Sequence, residues 1–99
     1  MLVKENAMKT IRLFATVRDI VGSKSIDVPF KAGDTVRDLI DVIDTTYPDL
    51  GETLLDESGA LSSSMHIYVH GRNVEWLNGL DTVIGASDDV FIVPPIAGG

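Results

Sequence analysis

Several groups of residues have side chains and spacings that invite chemistry. His66 and His70 stand four residues apart, Asp38, Asp41 and Asp44 recur at three-residue steps, and Ser62, Ser63 and Ser64 run together. The chain ends Pro94-Pro95-Ile96-Ala97-Gly98-Gly99. The two histidines fall in the alternating segment "SMHIYVHG", and four residues of strand separate them by about 13 Å, too far to share a metal ion. The aspartates sit at helical spacing, the ordinary pattern of a solvated helix face, and a cation there would need ligands that the sequence does not place. No element orients a histidine on the serines, so no hydrolytic triad is indicated. "HGRN" and "NGLD" are turn sequences without the glycine spacing or lysine of a phosphate loop. The sequence has no cysteine, which excludes a disulfide, a thiolate nucleophile and a cysteine-ligated zinc. No metal, bound cofactor or internal active site is expected.

That leaves the ending. Pro94 and Pro95 fix φ and favour extended geometry, holding the last four residues away from the body. Ile96 offers a small apolar handle, while Ala97, Gly98 and Gly99 have almost no bulk. Four extended residues reach about 13 Å. So thin a segment can enter a narrow channel in another protein and present its α-carboxylate there. A carboxylate is a poor electrophile, but attack on the α-phosphorus of ATP converts it to an acyl-adenylate, from which sulfur or nitrogen can displace AMP. The reactive atom is then the carbonyl carbon of Gly99, beside Gly98, and the ATP-binding machinery belongs to a partner.

Alternation and helical periodicity define the elements beneath this tail. "KTIRLFATV" places Ile11, Leu13 and Ala15 on one face and Thr10, Arg12 and Phe14 on the other, a half-buried strand. After a turn at Gly22-Ser23, "SIDVPF" is a second strand, antiparallel to the first and confined to an edge by Pro29. Val36, Leu39, Ile40, Ile43 and Tyr47 share one helix face. Asp34 or Thr35 caps this helix, Thr35 and Asp38 resemble a capping box, and Pro48 stops it. Leu50, Leu54 and Leu55 suggest a further short helical turn. Met65, Ile67 and Val69 oppose His66, Tyr68 and His70 in the next strand; "GRN" turns into a short strand "VEWL", with Trp76 as a packing residue. Leu80, Val83 and Ile84 are expected to plug the core. "DVFIVP", almost wholly apolar, reads as a strand in the middle of a sheet. One helix with one apolar face needs one sheet to cover it. The economical solution is α+β: a mixed sheet of four or five strands curled around one main helix, the β-grasp, with the last strand beside the first.

Composition bounds the rest. Ninety-nine residues with 44% hydrophobic and 23% charged side chains suit one domain. Residues 1–8 read as an N-terminal tail, 9–95 as the folded domain and 96–99 as a flexible diglycine tail, with Met8 a candidate start. No apolar run approaches a membrane span, and the N-terminus lacks the apolar centre of a secretory signal, so the expected location is the cytoplasm. The net charge of −7 argues against nucleic acid and suits a partner with a basic face.

"RLFATVRDIVG", "GDTVRDLIDVI" with "YPDL", and "DDVFIVPPIAGG" resemble the MoaD/ThiS family of ubiquitin-like sulfur carriers, over essentially Lys9 to Gly99. The resemblance implies adenylation of Gly99 by an activating enzyme and conversion to a thiocarboxylate that donates sulfur. The first expectation is molybdopterin assembly, as by the small subunit of molybdopterin synthase, with the large subunit or another sulfur-acceptor enzyme as partner. The middle of the chain looks more like the cysteine-biosynthesis carrier and the archaeal small modifiers, with His70 and Arg72 departing from their pattern. Phe14 and Val93 fall where the resemblance implies an apolar patch gripping the partner. Phe14 also stands on the polar face of its strand, and Phe91 and Tyr68 are added to the patch, which continues into Pro94, Pro95, Ile96 and Ala97. The alternatives are a thiamine- or cysteine-pathway carrier, a modifier joined through Gly99 to lysines, and a non-catalytic β-grasp interaction domain.

Overall fold

The computed structural model describes residues 7–94. Strand β1 (Ala7–Leu13) begins two residues before the expected Lys9 and pairs antiparallel with β2 (Ser25–Phe30), from Ala7 opposite Phe30 to Arg12 opposite Ser25. Ile11 and Leu13 face inward and are fully buried. The alternation then breaks: Ala15, expected to continue that face, is exposed with φ of 54°, and a short helix α1 (Val17–Val21) follows where only a turn was expected. Burial of Val17 anchors α1, and Gly22, at φ 80°, ends it in the left-handed conformation that glycine adopts without penalty.

Helix α2 (Val36–Thr46) starts on a complete capping box. The Thr35 hydroxyl accepts from the Asp38 N–H, and the Asp38 carboxylate accepts from the Thr35 N–H at 3.0 Å. Val36, Leu39, Ile40 and Ile43 are buried against the sheet. The chain turns at Tyr47, and Pro48 opens a second helix, α3 (Pro48–Leu54). Proline suits that first position, where its missing N–H would have had no helical partner. Gly51 lies buried where α3 packs against α2 at Asp44.

Strand β3 (His66–Val69) meets β4 (Arg72–Asn73) through a two-residue turn, His70-Gly71, both at positive φ as a tight hairpin requires. The expected strand "VEWL" is instead a 3-10 turn at Val74–Trp76, because the Asn73 side chain accepts from the Glu75 N–H at 2.9 Å and bends the backbone out of the ladder. Only Val74 of that turn is buried; Trp76 is 83% exposed, so it is not a packing residue. A second 3-10 turn, Gly79–Asp81, leads to an extended stretch in which Thr82 and Ile84 point inward and Val83 is 62% exposed. Val83 therefore does not plug the core, while Ile84 does and Leu80 packs at its margin.

Strand β5 (Val90–Val93) completes a five-stranded mixed sheet in the order β2-β1-β5-β3-β4. It is parallel to β1 and antiparallel to β3, so the last strand is central and Pro29 lies on an edge, as its missing donor demands. The inner face packs on α2 and α3; the opposite face is open. This is a β-grasp.

Candidate functional site

The open sheet face carries a row set by strand register. Phe91 lies beside Arg12 on one side and Tyr68 on the other, and Tyr68 is paired with Asn73. One step along, Val93 stands opposite His66. Phe14 closes the row: it leaves β1 just after Leu13, its N–H donating to the Ile92 carbonyl at 3.1 Å. Its ring meets that of Phe91 edge-to-face, with centroids 5.5 Å apart. Phe14, Tyr68, Phe91, Val93 and Pro94 are all half-buried, and register and ring contact bring the first four of these expected contact residues onto one side of the strand that leads to Pro94. Pro95, Ile96, Ala97, Gly98 and Gly99 lie outside the described residues.

Sequence reasoning passed over the cations around this patch. The Arg12 guanidinium lies over the Phe91 ring and that of Arg18 over the Phe14 ring, each at 5.7 Å. Arg18 also donates from Nε to the Leu13 carbonyl at 2.8 Å. With Lys24 they line an open groove of about 390 Å³ beside Phe14. Arg12 and Phe14 share the outward alternation, which was a readable signal; Arg18 reaches the site only through α1, for which the sequence has no period.

The other candidate groups are dispersed. His66 Nδ1 lies 3.6 Å from Glu75 and His70 Nδ1 lies 3.7 Å from Asp88, each at a different carboxylate. Asp38 is occupied in the capping box; the Thr35 backbone N–H and then the Thr35 hydroxyl hold its carboxyl below the usual value. Ser62 is buried in the loop before β3, its N–H bonded to the Leu54 carbonyl. Among the described residues no cluster of histidine and acidic side chains could hold a metal ion, and no helix is long and apolar enough to cross a membrane.

In the sequence Lys9 carries only the signature of a strand start. It is 6% exposed, lies 4.5 Å from the Phe30 ring centroid, and donates from Nζ to the carbonyls of Gly85, Ala86 and Asp88 at 3.0, 3.0 and 2.8 Å. Burial lowers its pKa below the ordinary value, against the opposing pull of Asp88 and Asp89. It ties down the loop immediately before β5 and thereby helps to set where Phe91 and Val93 stand.

A β-grasp with a half-buried aromatic patch on its central C-terminal strand is a ubiquitin-like fold. Known proteins agree. A family model described as the ThiS family matches residues 11–99, and the chain belongs to that family. It is 35% identical to small archaeal modifier protein 3 of Haloferax volcanii, covering 90% of this chain and 96% of that one. It is 36% identical to the sulfur carrier protein CysO of Mycobacterium tuberculosis, over 79% and 83% of the two chains. Among solved structures, a Pyrococcus furiosus protein described as a molybdopterin converting factor, subunit 1, superposes with a TM-score of 0.70. The two are 25% identical, with 90% of this chain and 98% of that one covered.

Proposed function

We propose that this protein is a sulfur carrier acting through Gly99, not itself an enzyme. The Gly99 carboxylate attacks the α-phosphorus of ATP on an activating enzyme, and pyrophosphate leaves. Hydrosulfide then attacks the acyl-adenylate carbonyl; AMP leaves and a thiocarboxylate remains. ATP is bound by the partner, and the cytoplasm is the compartment that supplies it. The observation that carries the reading is the aromatic patch of Phe14, Phe91 and Tyr68 with Val93, on the strand that runs directly into Pro94 and the diglycine. A partner that grips this patch has the tail root in register with its own active site.

Molybdopterin assembly is the first acceptor pathway we assign, supported by the likeness to the Pyrococcus protein; cysteine biosynthesis is the rival that the CysO match supports. A second reading, conjugation of Gly99 to lysines, has its own support in the similarity to small archaeal modifier protein 3. The test is intact-mass and C-terminal peptide mass spectrometry after co-expression with the adenylating enzyme and a sulfur source. An oxygen-to-sulfur exchange on the peptide ending in Gly99, absent when Gly99 is deleted, is the expected result. ATP–pyrophosphate exchange without that exchange, together with higher-mass conjugates in extracts, would replace carriage by conjugation.

A further inference from the structure

We infer that the groove beside Phe14 docks an acidic segment of the partner protein, an inference that rests on the carrier reading above. The chain as a whole is acidic, with fifteen Asp and Glu against eight Lys and Arg. Its groove is the reverse. Arg12, Arg18 and Lys24 line it, joined by Thr10 and Ser25, with Asp89 as the acidic residue of the lining. Among the described residues no carboxylate is ion-paired with any of the three cations. Collecting cations on one part of an acidic protein costs self-repulsion, which an anionic occupant relieves.

The geometry favours carboxylates presented by a protein. Each guanidinium lies 5.7 Å from the centroid of one ring of the aromatic pair, and Arg18 is further held by the Leu13 carbonyl, so at least its forked donors are oriented before anything binds. Planar bidentate donors match carboxylates, and the pre-organised fork of an arginine loses less freedom for each hydrogen bond it forms than a lysine does. The groove is open and continuous with the Phe14–Phe91 patch. An occupant that covers both needs apolar side chains beside its carboxylates, as a peptide segment has and a free phosphate has not. The net charge does not oppose this. Exposed charges farther apart than about 8 Å are largely screened at physiological salt. At contact the local cations therefore decide, and they fix orientation and register more than they speed encounter.

The test compares two double variants with the same change in formal charge. Arg12→Glu/Lys24→Glu reverses the groove, whereas Lys31→Glu/Arg37→Glu reverses exposed positions outside its lining. The neutral pair Arg12→Gln/Lys24→Gln serves should the first reversal unfold the chain. The 99-residue chain is titrated with a hexaglutamate peptide, with inorganic phosphate and with hexalysine while backbone amide shifts are followed. Hexaglutamate is expected to move the amides of Arg12, Phe14, Arg18 and Lys24, and the groove variants to lose this while the surface variant keeps it. Shifts no larger than those from phosphate at equal charge would overturn the inference and leave a plain anion patch. Thiocarboxylate formation with the co-expressed adenylating enzyme is the second readout. The groove reversal should slow it about tenfold at ~50 mM salt and less than about threefold at ~0.5 M, because exposed charges are screened. A groove reversal as fast as wild type at low salt refutes acidic docking while leaving carriage intact. A wild-type chain that forms no thiocarboxylate refutes carriage, and the peptide titration still judges the groove.

Discussion

Replacing Lys9 by methionine should loosen the strand that carries the site. Methionine matches the length and apolar character of the lysine stem, so the change leaves no large cavity and removes mainly the ammonium. Three carbonyls, of Gly85, Ala86 and Asp88, then lose their donor. A fully buried carbonyl left unpaired costs about 1–3 kcal/mol. Ala86 is exposed and Gly85 and Asp88 are only half-buried, so water recovers part of this, and about 1 kcal/mol for each is a fair value. Loss of the cation over the Phe30 ring adds about 0.5–1 kcal/mol. Relief of the burial that lowers the lysine pKa works the other way and offsets part of this. The net loss is about 2–3 kcal/mol, which in a domain of this size lowers Tm by about 10–20 °C. Thermal melts followed by circular dichroism at neutral pH measure it. The pH dependence gives a second check with a definite sign. Between the lowered folded value and the ordinary 10.5, the unfolded chain holds a proton that the folded chain has released. Wild-type stability should therefore rise with pH across that window, and Lys9→Met should lack the rise. A fall in Tm of less than about 3 °C would mean that water replaces the ammonium at little cost, and the anchoring role assigned to Lys9 would be wrong.

Other substitutions probe the remaining supports. Gly51→Ala puts a Cβ 2.7 Å from the Asp44 Cβ and nearer still to its Cα, so α3 must move off α2; a loss of about 2–3 kcal/mol in urea denaturation is expected, and an unchanged midpoint would contradict the close packing. Asp38→Asn should blunt acid sensitivity. The wild-type carboxyl is depressed, so its contribution is present above the unfolded value and fades as pH falls through the folded one, and identical acid titration curves would deny the capping box that role. Phe14→Asp should weaken binding to the activating enzyme by roughly tenfold or more, as loss of an aromatic anchor does. The fold should lose only about 1–2 kcal/mol, because Phe14 is half-buried against Phe91 alone among the aromatics; a large melt shift with unchanged binding would place Phe14 in the core instead.

Elements with a local signal were the legible ones. Period two in β1, β2 and β3 and period 3.6 in α2 reflect burial of one face, and Ile11, Leu13, Ile40 and Ile43 are buried accordingly. The central place of β5 was legible because both of its faces are apolar. The features that escaped depend on single hydrogen bonds or on very short elements. Helix α1 spans five residues, less than two turns, too few to show a period. The turn at Val74–Trp76 is set by the Asn73 side chain, and it sends Trp76 outward although tryptophan ordinarily suggests packing. Thr82 takes the inward place that hydrophobicity assigns to Val83, because its hydroxyl accepts from the Asn78 N–H and its carbonyl from the Val36 N–H. The aromatic half of the site was visible in the outward placing of Phe14. The cationic half required α1, and so it was not.

Why the tail should leave from the middle of the sheet has a mechanical answer. An edge strand is held on one side only, and its ends open readily. Strand β5 is bonded to β1 on one side and to β3 on the other, and the Phe14 N–H adds a bond to Ile92 just before the chain reaches Val93 and Pro94. The loop before it is tied to Lys9. The strand that leads to the diglycine is thus fixed from three directions, while Ala97, Gly98 and Gly99 have little side-chain bulk of their own. A partner that binds the patch of Phe14, Phe91 and Tyr68 gains a defined origin for the tail, and the distance from that origin to Gly99 is set by residue count. On the carrier reading proposed above, an active site within that reach receives the carboxylate at high effective concentration. Shortening the tail by one residue should therefore abolish activation while leaving patch binding intact. Loss of both together would mean that the tail itself supplies the binding energy.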